Sequence, residues 1–395
     1  MFRVLLVVPI LVALASGVVA GHRYLIQRLV LDAALPPAAE KLVIALILLL
    51  AVSVLLEFFA ERLLRPGHAR IIAWPSSLWI GLFFYLNLLL GFSELLLALA
   101  RPWLPALADP GPQVAAALGR WRAVGVLVVA LAVVGAALRS AMRPPRLVKV
   151  ELGLARWPAS LDGFRIIQIC DTHLGPILGR RFSRDLVERI RVLDADLVAV
   201  TGDLVDGSVS KLADEVAPFA ELRARYGVFF VPGNHDYFSG VSSWCEHVQT
   251  LGMRVLRNQR VTVRVPSAGN ASVFELAGVD DHRAGLIPGQ HGEDLEAALG
   301  ALPPERPVLL LAHDPSTFKR ASTMGIDLQL SGHTHGGQIW PFHYLVRLAV
   351  PFVAGCYRRG EVQLYVSRGT GFWGPPMRLF APAELTEIIL RSRPV

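Results

Sequence analysis

The chain has 395 residues, room for two or three domains, and is 53% hydrophobic, which is high for a wholly soluble protein. Of its 39 Lys and Arg and 32 Asp and Glu, residues 1–150 hold 14 and 6, a net of +8, and the remainder holds 25 and 26, a net of −1. The basic excess thus flanks apolar segments, where anionic lipid headgroups are the natural contact; the C-terminal part lacks the basic surface of a nucleic-acid binder, and no nucleic-acid partner is expected. The three cysteines, Cys170, Cys245 and Cys356, form no CxxC pair and exclude both a disulfide scaffold and a zinc–thiolate site.

Apolar stretches at 4–20, 42–60, 78–100 and 123–138 come first. Each is near or above the length that crosses a hydrocarbon core of about 30 Å. So many apolar runs, with so little polar sequence between them, exceed what this chain can cover as buried core helices. Residues 1–140 are therefore read as a four-helix transmembrane region. Arg3 and the small-residue ending at 18–21 also fit a cleaved signal peptide, but the further apolar segments favour an uncleaved helix. With an even number of spans, the N-terminus and the C-terminal domain share one side. That side carries Arg3, Arg62, Arg65, Arg70, Arg139, Arg143, Arg146 and Lys149, against Arg23, Arg28, Lys41, Arg101, Arg120 and Arg122 opposite. The cluster directly after the last span predicts a multi-pass protein of the inner (cytoplasmic) membrane with a cytoplasmic C-terminal domain. Glu57 and Glu94 lie toward span ends and are read as interfacial. Residues 141–163, with Pro144-Pro145, form a linker and entry strand.

From residue 164 onward, short apolar runs at 165–170, 197–201, 228–231, 308–312 and 326–330 alternate with helical patterns at 184–193, 212–225 and 243–251. This alternation predicts an α/β layered fold over 164–395. Two adjacent strand patterns, 254–265 and 272–279, have no helix between them and predict mixed sheets. Polar clusters close the five apolar runs: Asp171-Thr172-His173, Gly202-Asp203, Gly233-Asn234-His235-Asp236, His313, and Gly332-His333-Thr334-His335. Ligands bind at the carboxyl ends of strands in open α/β sheets, so these clusters belong to one rim.

Asp171, His173, Asp203, Asn234, His313, His333 and His335 offer carboxylate, amide and imidazole donors and no thiolate. That set suits manganese, with iron or zinc as alternatives, and it is too large for one structural ion. Two divalent ions about 3.5–4 Å apart and sharing a carboxylate would use all of it.

The series DTH, GDLVD, GNHD, AHD and GHTH resembles the calcineurin-like metallophosphoesterase superfamily over roughly residues 164–395. The run GHTHGGQ at 332–338, with DTHLG at 171–175, is similar to a membrane-associated bacterial branch that includes UDP-2,3-diacylglucosamine pyrophosphatases of lipid A synthesis. The resemblance implies that Asp171, His173 and His335 bind one metal, that Asn234, His313 and His333 bind the other, and that Asp203 bridges. It implies His235 as general acid, with Asp236 as the candidate that orients its imidazole, and Asp206 as support for a ligand or loop. Asp206 is followed by Gly207 rather than arginine, and Cys170 precedes Asp171, so protein phosphatase activity is not expected.

Residues 339–353 and 371–376 are apolar and aromatic, and Trp340, Phe342 and Trp373 either fill the core or touch bilayer or acyl chain. Arg180 and Arg181 either meet a second phosphate or form a solvated pair. The expected function is a membrane-anchored, two-metal phosphohydrolase cleaving a phosphodiester or pyrophosphate bond, in a lipid-linked nucleotide such as UDP-2,3-diacylglucosamine. The alternatives are a phosphodiesterase for soluble diesters, including cyclic nucleotides, and a non-catalytic membrane sensor that binds a phosphorylated ligand. No protein partner is indicated.

Overall fold

The computed structural model describes residues 2–104, 111–266 and 271–392, without the side chains of residues 2–8, 10 and 11. Contacts divide the chain into two units, Met1–Leu64 with His68–Ala137, and Arg65–Gly67 with Leu138–Val395.

The first unit contains α1 (Phe2–Ile26), which runs on into a π-helical turn at Gln27–Leu31, then α2 (Pro37–Leu63) and α3 (Pro66–Ala100). The helix α4 (Pro112–Ala141) starts here and runs into the second unit. The last three begin on proline, whose missing N–H is one that a helix's first turn leaves unbonded anyway. Among the described residues, α2, α3 and α4 are the three helices long and apolar enough to cross a membrane. Their apolar side chains are largely uncovered, as at Leu55, Leu99 and Val128, which suits a hydrocarbon surrounding. The fourth expected span, 4–20, falls on α1 (Phe2–Ile26), and much of it lies outside the described side chains. Both carboxylates read as interfacial have partners. Glu57 accepts hydrogen bonds from Ser76 and Ser77 at 2.7 and 2.8 Å, and Glu94 lies 2.6 Å from Arg28. Asp32 joins Arg28 to Arg122 at 2.8 and 3.1 Å.

Among the described residues, the second unit holds twelve strands in two mixed sheets. The strands are β1 (Arg146–Leu154), β2 (Phe164–Ile169), β3 (Leu197–Thr201), β4 (Val228–Val231), β5 (Arg254–Val255) and β6 (Gln259–Val265). They continue as β7 (Ser272–Gly278), β8 (Val308–Leu311), β9 (Leu328–Ser331), β10 (Gly355–Arg359), β11 (Val362–Val366) and β12 (Glu384–Ser392). The first sheet has the order β1-β12-β2-β3-β4-β5, parallel except where β12 meets β2. The second runs β10-β11-β9-β8-β7-β6, with antiparallel pairs at its two edges. Between the strands lie α5 (Arg180–Arg191), α6 (Val209–Val216), α7 (Asn234–Phe238), α8 (Val241–Thr250), α9 (Leu295–Leu299), α10 (Phe318–Ala321) and α11 (His343–Ala349).

Strand side chains alternate between faces, and β3, β4 and β8 are almost wholly apolar on both. Ile166, Leu197, Ala199, Phe229 and Val231 point from the first sheet onto Phe274, Leu276, Leu309, Leu311 and Leu328 of the second. The other face of the first sheet, with Ile167, Val198, Val200 and Phe230, packs against Leu186 and Ile190 of α5, Leu212 of α6 and Trp244 of α8. The outer face of the second sheet is covered by Leu295, Ala298 and Leu299 of α9 and Ala321 of α10. The result is four layers, α/β/β/α, with the inter-sheet core holding both sets of strand ends at one rim. The short apolar runs read as buried strands are β2, β3, β4, β8 and β9, within two residues at each end.

Because Phe230 is fully buried between β3, β5 and the helices, Phe230→Ala should destabilise the second unit by about 3–5 kcal/mol. Val192→Ala, at an exposed helix end, should stay within about 0.5 kcal/mol. Thermal denaturation of the full-length variants checks the difference.

Candidate metal centre

Each strand that ends at the rim hands over to its polar cluster through a sharp backbone turn. Asp171, His173, Asp203, His333 and His335 all sit at positive φ, between 44° and 72°, a region that costs a non-glycine residue roughly 1–3 kcal/mol. Five of the seven candidate ligands are thus held in strained backbone, a concentration that core packing alone does not require. Gly233 and Gly332 serve close approach instead. A Cβ on Gly233 would collide with the Asp203 carboxylate, and one on Gly332 with the Asp171 carboxylate.

The side chains so delivered form three overlapping groups, each with donor atoms within 4.8 Å of one another: Asp171, His173 and His335; His173, Asp203 and His235; and Asp203, His313 and His333. His173 Nε2 lies 3.1 Å from His335 Nε2, and His335 Nε2 lies 3.6 Å from Asp171 Oδ1. On the other side, His313 Nε2 is 3.2 Å from Asn234 Oδ1 and 3.2 Å from His333 Nδ1. The Asp203 Oδ2 atom stands between the two sets, 3.7 Å from His173 Nε2 and 3.1 Å from His313 Nε2. All seven residues expected as ligands therefore meet in one place.

The donor set fits two ions. Facing imidazole nitrogens at 3.1–3.2 Å have the spacing of two donors on one ion, whose metal–nitrogen bonds are about 2.0–2.1 Å. Asp171, Asp203, Asp236, Asp281 and Asp314 are all buried, and divalent cations would neutralise the charge gathered there. The Oδ2 atom of Asp281 is buried and meets no hydrogen-bond donor among the described residues, as expected beside a hydrated cation.

The surrounding residues correct one expectation. Asp236 does not orient His235. Its carboxylate accepts the backbone N–H groups of Gly233, Asp203 and Leu204 at 2.8, 2.9 and 3.0 Å, tying the turns after β3 and β4 together. Burial, with the Asp203 charge beside it, pushes the Asp236 pKa up to about 7. Asp206 is the residue that meets the His235 imidazole, 2.7 Å from Nδ1, and it also lies 3.0 Å from Nδ1 of His173. One carboxylate thus sets the orientation of a candidate ligand and of the candidate acid. Burial opposes ionisation of Asp206, yet the His173 and His235 imidazoles hold its carboxyl well below the usual range. Burial likewise opposes protonation of His235, but the Asp206 hydrogen bond and the Asp203 and Asp206 charges raise its pKa to about 9.

Arg378 is a site residue that the sequence patterns miss. Fully buried, it donates to the carbonyls of His335, Arg368, Gly371 and Ala381, and its Nη2 lies 3.1 Å from His335 Nδ1. No local signal marks it, because its partners are carbonyls brought together only by the fold. Arg180 and Arg181, in contrast, join no site group. The Arg180 backbone N–H donates to Glu215, and the Arg181 side chain is 96% exposed, 3.9 Å from Asp185. Trp373 stands at the site, its ring centroid 5.8 Å from that of His235. Trp340 and Phe342 are 45% and 38% exposed, with Trp340 edge-on to Phe380 at 6.3 Å.

Residues 164–337 match the family model of the calcineurin-like phosphoesterases. A transmembrane protein with metallophosphoesterase domain from Danio rerio is 39% identical over 273 residues, 68% of this chain and 62% of that one. Its counterpart from Bos taurus is 41% identical over 280 residues, 69% of this chain and 63% of that one. The match therefore spans less than two thirds of the length of these two relatives. A metallophosphoesterase of Campylobacter jejuni is 32% identical over 272 residues, covering 68% of this chain and 70% of its own length. Motif order, ligand geometry and these similarities agree: the chain belongs to the calcineurin-like phosphoesterases, a family of metal-dependent phosphoesterases.

Proposed function

We propose that this chain is a membrane-anchored hydrolase of phosphodiester or pyrophosphate bonds, acting on a lipid-linked nucleotide such as UDP-2,3-diacylglucosamine. The observation that carries the chemistry is the position of Asp203 Oδ2 between two sets of donors. Asp171, His173 and His335 would hold one ion, Asn234, His313 and His333 the other, with Asp203 shared and manganese as the first candidate. Bound there, divalent ions supply a hydroxide nucleophile at neutral pH and offset charge on the phosphoryl oxygens. Asp206 aligns His173 and His235 from one carboxylate. His235, whose imidazole Asp206 holds at 2.7 Å, would donate its proton to the departing oxygen. Asp236 and Arg378 keep the turns and His335 in place. Trp373 beside His235, with Trp340 and Phe342 exposed just past Gln338, which hydrogen-bonds to Trp373, supports a substrate that carries an apolar part.

The same reading assigns residues 1–140 to the membrane, 141–163 to the connection and 164–395 to catalysis, with the catalytic domain on the cytoplasmic side. A reporter fused after Val395 should accordingly behave as cytoplasmic, given Arg139, Arg143, Arg146 and Lys149 after the last span. Protection of the domain from protease in sealed inverted vesicles would overturn the orientation.

Metal analysis tests the ligand roles. Asp203→Ala should lose bound metal together with turnover, whereas His235→Ala should keep its metal and lose about 10²–10⁴ in rate. A His235→Ala protein stripped of metal would remove the general-acid assignment.

Leaving groups test the proton step. His235→Ala should slow hydrolysis of alkyl diesters far more than of nitrophenyl esters, whose phenolate departs without a proton. Equal losses on both would take His235 out of that step. Comparing UDP-2,3-diacylglucosamine with a soluble aryl diester on one preparation tests the substrate; preference for the soluble ester would favour a soluble-diester phosphodiesterase.

A further inference from the structure

Helix α11 lies between Pro341 and Pro351 and buries none of its seven side chains. A helix on a water-soluble domain ordinarily turns an apolar stripe onto the core. Here Tyr344, Leu345 and Leu348 are 58%, 56% and 85% exposed. The helix is nevertheless fixed to the metal centre. It follows directly on the His335–Gly337 turn, and a Cβ on Gly337, at φ +78°, would collide with His343.

The surface continues beyond the helix. The Gln338 amide donates to the carbonyls of Trp373 and Pro375 at 2.7 and 3.2 Å, and its oxygen accepts the Trp373 N–H at 3.0 Å. The Trp340 N–H donates to Leu379, and the Leu379 N–H to Gln338. These bonds join residues 338–342 and 373–380 into one piece, on which Phe380 is 80% and Trp373 is 51% exposed. Such an apolar surface marks an interaction site rather than ordinary scatter.

Its chemistry selects the partner. Residues 339–353 contain no Asp or Glu, and Arg347 stands among the leucines, with Arg359 soon after on β10; Arg358 there pairs with Glu361 at 2.5 Å. Trp and Tyr beside exposed leucines, with arginines among them, is the composition of an element lying in a bilayer interface, where the cations meet anionic headgroups. A bilayer is also the surface to which this chain is tethered, through α2, α3 and α4, and a tether raises the effective concentration of a weak contact severalfold or more.

We propose that α11 and the Phe380 loop dock into the interface of the bilayer that anchors the chain, with Leu345, Leu348 and Phe380 entering the acyl region. The inference rests on the membrane-anchored reading above and adds a second membrane contact made by the catalytic domain itself. Because Trp373 joins this surface to His235, docking brings the mouth of the metal centre to headgroup depth. The substrate class that fits is then a lipid whose phosphoester lies at that depth.

The full-length chain in proteoliposomes of phosphatidylcholine and phosphatidylglycerol tests it. On a Cys356→Ser background, which removes the one exposed thiol, Leu348→Cys, Phe380→Cys and Val192→Cys each carry a nitroxide. Collision rates with oxygen, which partitions into lipid, and with a nickel chelate, which stays in water, are read for each label. The expected result is an oxygen-to-nickel ratio at 348 and 380 several-fold above that at 192, reduced when phosphatidylglycerol is omitted. Ratios equal to the control overturn the proposal, and so does shielding from both reagents, which would mean a protein occupant. Metal content of each labelled protein verifies folding, since none of the three positions touches a ligand. The collision readout needs no turnover, so docking stands or falls independently of the hydrolase reading, which a separate activity assay tests.

Discussion

Asp203 is the residue on which the remaining arrangement turns. A carboxylate 2% exposed, with imidazoles on two sides and Asp171, Asp236 and Asp281 buried close by, is tolerable only where its charge is met. The His235 backbone N–H donates to Asp203 Oδ1 at 2.8 Å, but a neutral donor does not cancel the charge gathered there. Two cations on the two donor sets would. The fold then reads as a device for bringing donors to that point: parallel β2, β3 and β4 in one sheet and β8 and β9 in the other deliver their ends to the same rim. The left-handed turns at five ligands are strain held in place by the inter-sheet core beneath them.

A second dependence runs through Asp206. Its contacts to His173 and His235 mean that the proposed ligand and the proposed proton donor share one anchor, so a change there would reach metal affinity and proton transfer together. Arg378 plays the corresponding part for His335, as a buried cation that is satisfied almost wholly by carbonyl oxygens.

Much of this was legible in the sequence, for identifiable reasons. The central strands are continuous apolar runs ending in Asp, Asn or His, and a run buried on both faces announces itself without any periodicity. The ligand set followed from counting donors at those ends. Other elements were hidden. β12 pairs with β1 and β2, joining residues more than 200 positions apart, and local pattern carries no trace of such pairing. The role of Asp206 was only partly visible: adjacency pointed to Asp236 as the partner of His235, but the turn into α7 aims Asp236 at the backbone and leaves the imidazole to a residue from the next strand over. Arg180 and Arg181 were drawn toward the site by closeness in sequence, whereas they start α5, whose polar face is solvated.

The unburied α11 has one more consequence. Since Tyr344, Leu345, Arg347, Leu348 and Ala349 are exposed, they can be exchanged without loosening the layers or disturbing the ligand candidates a few residues earlier. The Gly337 turn holds the helix in position whatever it displays. Chemistry and address are therefore written on separate stretches of the same loop. A lineage can retarget such an enzyme, from a lipid interface to a protein or to open solvent, by editing that one outward-facing turn while the reaction centre is inherited unchanged.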